Sequence, residues 1–299
     1  MRRVIVLGVL VAIGCFSLAV KGFQSAKSGT PEGPPVAEIQ KVKDNLYMLT
    51  GGGGNTAVFV TDNGVVVVDT KLAGWGQAIL DKIRTVTNKP VTMIINTHTH
   101  GDHTGSNEFF GTVETVAQEN TKENMSKMDA FKGDKSKFLP AKTFKEKLAL
   151  GQGKNEIDLY YFGPGHTNGD AWIVFKALRV MHAGDMFAWK GLPIVDVANG
   201  GSAVNYGQTL AKAASTIKDV DTIIPGHSPL MTPADLQESA QFNKDFVEWV
   251  RNEIKAGKNV DQAAAEYKIP EKYKGYTADS PFMGGLKGII QTTYKELGR

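Results

Sequence analysis

Along the chain, apolar residues gather in short runs of strand length that alternate with amphipathic stretches of helical length. AVFV (57–60) and VVVVD (65–69) flank TDNG, whose Asn63 and Gly64 accept the positive φ of a tight turn, so the pair reads as a hairpin. The pattern then predicts a helix from about Trp75 to Thr87 and an apolar strand, VTMII, over 91–95. Further strands are expected at 143–149, 156–162, 171–176, 179–182 and 221–225. Such a mixture favours sheets covered by helices. Beyond Pro225 the period changes: Thr232 suits a helix N-cap, Pro233 a first turn and Gly257 a stop, while Phe242, Phe246, Val250 and Ile254 recur every four residues on one face. Residues 231–299 therefore read as a helical C-terminal region packed on a main domain of residues 36–230, and no internal repeat is evident.

The N-terminus breaks this pattern. Arg2 and Arg3 precede an apolar run from Val4 to Val20, the layout of a secretory leader, with cleavage suited after Ala19. Residues 1–22 are expected to be a leader or an uncleaved N-terminal anchor, and 23–35, small, polar and rich in proline, a linker. The expected location is thus periplasmic or extracellular, with membrane attachment only through an uncleaved or lipidated N-terminus. Cys15 is the single cysteine, so a mature chain would have neither a disulfide nor a thiolate metal ligand. Loss of Arg2 and Arg3 would lower the formal charge from +3 to +1, leaving no electrostatic footprint for nucleic acid. Hydrophobic and charged shares of 41% and 22% are ordinary for a packed globular chain.

The candidate chemistry begins where the 91–95 strand ends, in NTHTHGDHTG (96–105). Three of six histidines and an aspartate fall within six positions. His98 and His100, one residue apart in extended backbone, project to the same side. Asp102 and His103 follow as the chain turns. Imidazole and carboxylate donors at this spacing suit zinc. His166 in GPGHTNGD, Asp185 in HAGDMF and His227 in IIPGHSP each follow a strand-like run and sit beside glycine, as if loops carried donors to one edge. His182 reads as a satisfied core histidine, and Trp75 and Phe282 as packing residues. Asn199, in ANGGSAVNYG, is a candidate oxyanion or substrate donor, although a plain polar loop is the favoured reading. GGGG (51–54) lacks the Lys-Ser or Lys-Thr pair of a phosphate loop and reads as a flexible hairpin turn suited to a substrate flap.

The series His98, His100, Asp102, His103, His166, Asp185 and His227 resembles the metallo-β-lactamase superfamily over about residues 40–230. The resemblance implies an αβ/βα four-layer sandwich with the site at one edge. It also implies two zinc ions: His98, His100 and His166 on the first, Asp102, His103 and His227 on the second, and Asp185 bridging. Asp69, in VVVVDT, would support the site without binding metal. One β-lactamase subclass has Cys at the position of Asp185 and Lys three residues later, where this chain has Ala188. An aspartate there is similar to hydroxyacylglutathione hydrolases and lactonases. Two zinc ions about 3.5–4 Å apart would share a water and lower its pKa to about 7. The expected reaction is hydrolysis of a small-molecule ester, thioester, lactone or lactam by metal-bound hydroxide, with Asp102 orienting the nucleophile. The same residues leave open a mononuclear-iron persulfide dioxygenase and a non-catalytic metal-binding module.

Overall fold

The computed structural model describes residues 37–280 and 282–298. The leader and linker expected at 1–22 and 23–35 lie outside them. Among the described residues, no helix is long and apolar enough to cross a membrane.

Two mixed sheets form the centre. The first runs, in spatial and chain order, β1 (Glu38–Lys43), β2 (Leu46–Thr50), β3 (Thr56–Val60), β4 (Val65–Val68), β5 (Val91–Ile95), β6 (Glu114–Gln118) and β7 (Lys142–Phe144). Its first four strands pair antiparallel and β4 to β7 pair parallel. The second sheet has the order β12 (Thr222–Pro225), β11 (Val180–Gly184), β10 (Trp172–Phe175), β9 (Ile157–Tyr160), β8 (Lys147–Leu150), with only β11 and β12 parallel. The expected strand at 143–149 is in fact two, β7 and β8, on different sheets. KTFKEKLAL contains neither Gly nor Pro, so the sequence carries no turn signal at the crossing.

The all-valine β4 is explained by burial on both faces. Val66 and Val68 join Phe59, Ile95, Ile173, Phe175 and Ile224 in the core between the sheets, where the Phe59 and Phe175 rings meet edge-on at 5.1 Å. Val65 and Val67 turn outward onto Ile79 and Ile83 of α1 (Gly76–Arg84). The second sheet's outer face is covered by α4 (Ala203–Thr216), α5 (Pro233–Lys255), α6 (Val260–Glu266) and α7 (Gly285–Glu296). In α5 the expected periodicity is realised: Phe242, Phe246 and Val250 are buried and Ile254 packs against them, each fully buried side chain contributing about 1.5–3 kcal/mol. Thr232 and Asp235 form a reciprocal capping box at its start. Gly257, at φ 75, follows its end.

The parallel strands set the position of the chemistry. Asp69, the histidine cluster, Asp185 and His227 follow the carboxyl ends of β4, β5, β11 and β12, where loops of both sheets open on one edge. The C-terminal helices reach the same region. Glu296 of α7 accepts hydrogen bonds from Ser202 Oγ and the Ala203 N–H at the start of α4, a carboxylate where a helix N-terminus favours one.

Candidate metal centre

His98 leaves β5 in extended backbone, and His100, at φ −63° and ψ 147°, precedes a single helical turn, α2 (Gly101–Thr104), that carries Asp102 and His103. The turn folds back because the N–H groups of His103 and Thr104 both donate to the His100 carbonyl. His98 Nε2 and His166 Nε2 lie 3.2 and 2.9 Å from His100 Nδ1, and Asp185 Oδ2 is 3.7 Å from His166 Nε2. A second group adjoins: His227 Nε2 is 3.3 Å from His103 Nε2 and 3.3 Å from Asp102 Oδ2. Asp185 stands between them, with Oδ1 3.2 Å from His103 Nε2 and Oδ2 3.3 Å from His227 Nε2. Within each group the ligand atoms lie within 4.8 Å of one another. The structure thus brings together all seven residues singled out in the sequence.

The hydrogen bonds around the rings assign their tautomers. Asp69 accepts from the Thr97 N–H, from Thr97 Oγ1 and from His103 Nδ1, at 2.8, 2.6 and 2.7 Å. Thr97 Oγ1, having given its proton to Asp69, accepts from His98 Nδ1 at 2.9 Å. His166 Nδ1 donates to the Ile194 carbonyl and His100 Nε2 to Asp196, at 2.9 and 2.7 Å. In its neutral form, each of these four rings therefore turns a bare nitrogen toward the centre. With both oxygens committed, Asp69 orients ligands rather than joining them.

Bare nitrogens converging at about 3 Å repel one another unless a cation lies among them. Buried Asp185 makes the same demand: Oδ1 accepts no hydrogen bond even though His103 Nε2 is close. A metal ion held by imidazole and carboxylate fits this donor set. Burial pushes His98 and His166 below the usual imidazole range, favouring the neutral form a metal requires. For His103, burial is outweighed by Asp185 and Asp69, which hold its proton well above that range, so a metal must compete with it. His100, despite burial, and with the help of its Asp196 bond, is also raised.

Several supports escaped the sequence reading. Asp196 anchors His100, and His100 in turn, against the cost of burial, holds Asp196 well below the usual carboxylate range. Asn199 is no free oxyanion donor, because its side chain donates to Asp196 at 2.6 Å. The Asp–x–x–Asn spacing that closes this turn was the available signal. Tyr206, on α4, donates to the Asp185 carbonyl at 2.7 Å. His182 is the satisfied core histidine expected: Nε2 donates to the Asn55 carbonyl and Nδ1 accepts from the Gly184 N–H.

GGGG corrects an expectation, for it is a tightly packed floor and not a free flap. A Cβ on Gly52 would lie 2.0 Å from Trp75, on Gly53 2.6 Å from the Asp102 carbonyl, and on Gly54 2.1 Å from His103. Trp75 is thus a packing residue, as expected. Buried Lys71 fixes the floor from below, donating to the carbonyls of Leu49 and Gly54 at 3.0 and 2.8 Å.

A cavity of about 830 Å³ opens onto Asp102 and His227. Its apolar wall includes Leu72, Met128, Phe131 and Phe138, and Phe282 of the C-terminal region stands on it as well. Phe282 is therefore a site-lining residue and not the packing residue expected. Phe131 and Phe138 lie on two 3₁₀ turns after α3 (Glu119–Lys127) that the apolar periodicity does not mark.

Two mixed sheets with helices outside and a histidine–aspartate cluster at one edge define a metallo-β-lactamase-like protein. The profile of the metallo-beta-lactamase superfamily matches residues 49–227, and the chain belongs to that superfamily. The metallo-beta-lactamase type 2 of Elizabethkingia meningoseptica is 26% identical over 245 residues, 77% of this chain and 92% of the relative. The 2,4-dinitroanisole O-demethylase subunit alpha of Nocardioides sp. (strain JS1661) is 29% identical over 163 residues, 52% of this chain and 47% of that one. In fold, the DIM-1 metallo-beta-lactamase crystal structure superposes with a TM-score of 0.60 at 19% identity, covering 71% of this chain and 98% of the other.

Proposed function

We propose that the protein is a dinuclear zinc hydrolase that cleaves an ester, thioester, lactone or lactam bond of a small molecule. The observation that carries this reading is the geometry of Asp185, a buried carboxylate standing between the two imidazole groups, with Oδ1 near His103 and Oδ2 near both His227 and His166. His98, His100 and His166 would hold one ion, Asp102, His103 and His227 the other, with Asp185 shared. Bound there, the ions supply Lewis-acid polarisation of a carbonyl and acidify water.

The chain supplies position and proton handling. Asp102 lines the cavity, and its carboxylate orients the attacking water and takes its proton. The water oxygen bonds to the acyl carbon, the C–O, C–S or C–N bond breaks, and the proton passes to the departing alcohol, thiol or amine. Asp69 and Asp196 keep His103 and His100 from rotating out of place. The near-neutral charge speaks against a nucleic-acid substrate. We place the protein outside the cytoplasm on the leader sequence alone, and cell fractionation tests this.

The deciding experiment compares the full chain with His166→Ala for metal content and for turnover of ester, thioester, lactone and β-lactam substrates. The variant is expected to lose one metal equivalent and activity together while staying folded. Metal retained with lowered stability would make His166 structural. Iron bound together with oxygen uptake would replace the hydrolase by a dioxygenase.

A further inference from the structure

The cavity beside Asp102 and His227 has two properties that no catalytic role accounts for. The first is the extent and exposure of its apolar wall. Phe131 is buried in that wall, Met128 and Phe138 are half-buried, and Leu72 and Phe282 remain 45% and 50% exposed. Large side chains left open together around one concavity cost free energy unless something apolar covers them. Phe282 also stacks on Trp189, their centroids 6.3 Å apart, and Trp189 lies 6.2 Å from the His227 ring. Trp189 thus links Phe282 on the cavity rim to the His227 ring.

The second property is charge. Among the described residues lining the cavity, Lys135 is the only lysine or arginine, and its ammonium lies 2.8 Å from Glu108, another lining residue. The pair cancels. Lys190, the lysine nearest Asp185 along the chain after it, is committed to Asp235 and Glu238 of α5 at 2.6 and 3.1 Å. Lys71 is buried on two backbone carbonyls. A carboxylate reaching for Lys135 would have to displace Glu108 and then remain beside it. The wall therefore rewards an apolar group and offers an anion no free side-chain partner.

We propose that this site selects uncharged substrates carrying a bulky, preferably aromatic, group next to the scissile bond, and discriminates against substrates bearing a carboxylate there. The proposal rests on the hydrolase reading of the same centre, and it adds the substrate class. Leu72, Phe138 and Phe282 are specificity residues in this account, while Lys135 and Glu108 neutralise each other at the rim.

The test uses the full-length, metal-loaded protein and two readouts. Calorimetry compares phenylacetyl-glycinamide with acetyl-glycinamide, neutral amides that differ by one phenyl ring. Kinetics compares the phenylacetate ester of glycolamide with that of glycolic acid, which differ by one carboxylate. The phenyl ligand is expected to bind at least tenfold more tightly than the acetyl one. Phe138→Ala and Phe282→Ala should each reduce that preference about fivefold with metal content unchanged, since both side chains stand at the surface of the fold. The neutral ester should exceed the acidic one at least tenfold in kcat/KM. Equal binding of the two amides, or an acidic ester turned over as well as its neutral partner, would overturn the proposal. If the phenyl amide binds selectively and no ester is cleaved, the cavity assignment stands and the hydrolase reading falls. Hydrolysis of both esters with the acidic one preferred has the opposite meaning.

Discussion

Replacing Asp69 by Asn removes a charge and one acceptor at the point where the metal centre is held to the first sheet. Asn tolerates the left-handed backbone that Asp69 adopts at φ 62°, so the change tests the side chain and not the turn. Three donors converge on the two oxygens of Asp69: the Thr97 N–H, Thr97 Oγ1 and His103 Nδ1. Asn has one oxygen. If that oxygen takes the place of Oδ2, the amide group opposes the Thr97 N–H and a buried backbone donor is orphaned. If it takes the place of Oδ1, the amide confronts His103 Nδ1 and forces the ring to turn or change tautomer. Either arrangement costs about 1–3 kcal/mol. Loss of such a support typically weakens metal binding about 10–100-fold, which is about 1.4–2.7 kcal/mol. Chelator competition, titrating each equivalent of zinc, reads the effect directly. The equivalent assigned to His103 is expected to weaken by that factor, and the one assigned to His98, reached only through Thr97, by less. Wild-type affinity for both equivalents would refute the reasoning.

Three further outcomes follow from the same geometry. Gly54→Ala places a methyl group 2.1 Å from His103, so it should cost about 1–3 kcal/mol and weaken the second metal equivalent, whereas Gly101→Ala, with open space around its Cβ, should leave metal binding intact in the same titration. Asp102→Asn should keep the melting temperature within a few degrees, because the side chain is partly exposed, while turnover falls about 10²–10³-fold; wild-type turnover would remove Asp102 from its role. Burial lowers Lys71 from an ordinary value of 10.5 to about 7. Below about pH 7 both folded and unfolded chains hold this proton; between about 7 and 10.5 only the unfolded chain does, so its contribution to stability rises with pH. Urea unfolding at pH 7 and 9 should show a gain of about 2 kcal/mol in the wild type relative to Lys71→Gln, and parallel pH dependence would count against a buried, titrating Lys71.

The histidine-rich turn and its three distant partners were legible because metal binding needs particular side chains, and those side chains are rare in this chain. β4 was legible as a strand because four consecutive valines beside a turn have few other uses, while its burial on both faces emerged only from the fold. What escaped was carried by commoner residues. Asp196 and Thr97 are ordinary polar positions until folding sets them against His100 and His98. The crossing between sheets at Lys145 and Glu146 has no turn chemistry, and the glycine floor looks like a flexible loop until His103 and Trp75 are seen packed on it. The apolar cavity wall was hidden for another reason, since Phe131 and Phe138 lie in irregular turns where no periodicity links them to Phe282, more than a hundred residues away in the chain.

Elemental analysis of the full chain, purified without added metal, then saturated with zinc and freed of excess, tests the central claim most directly. Two zinc ions per chain are expected, with one lost in His166→Ala and the other in His227→Ala. A single tightly bound ion, or none, with the seven side chains unaltered, would contradict the account.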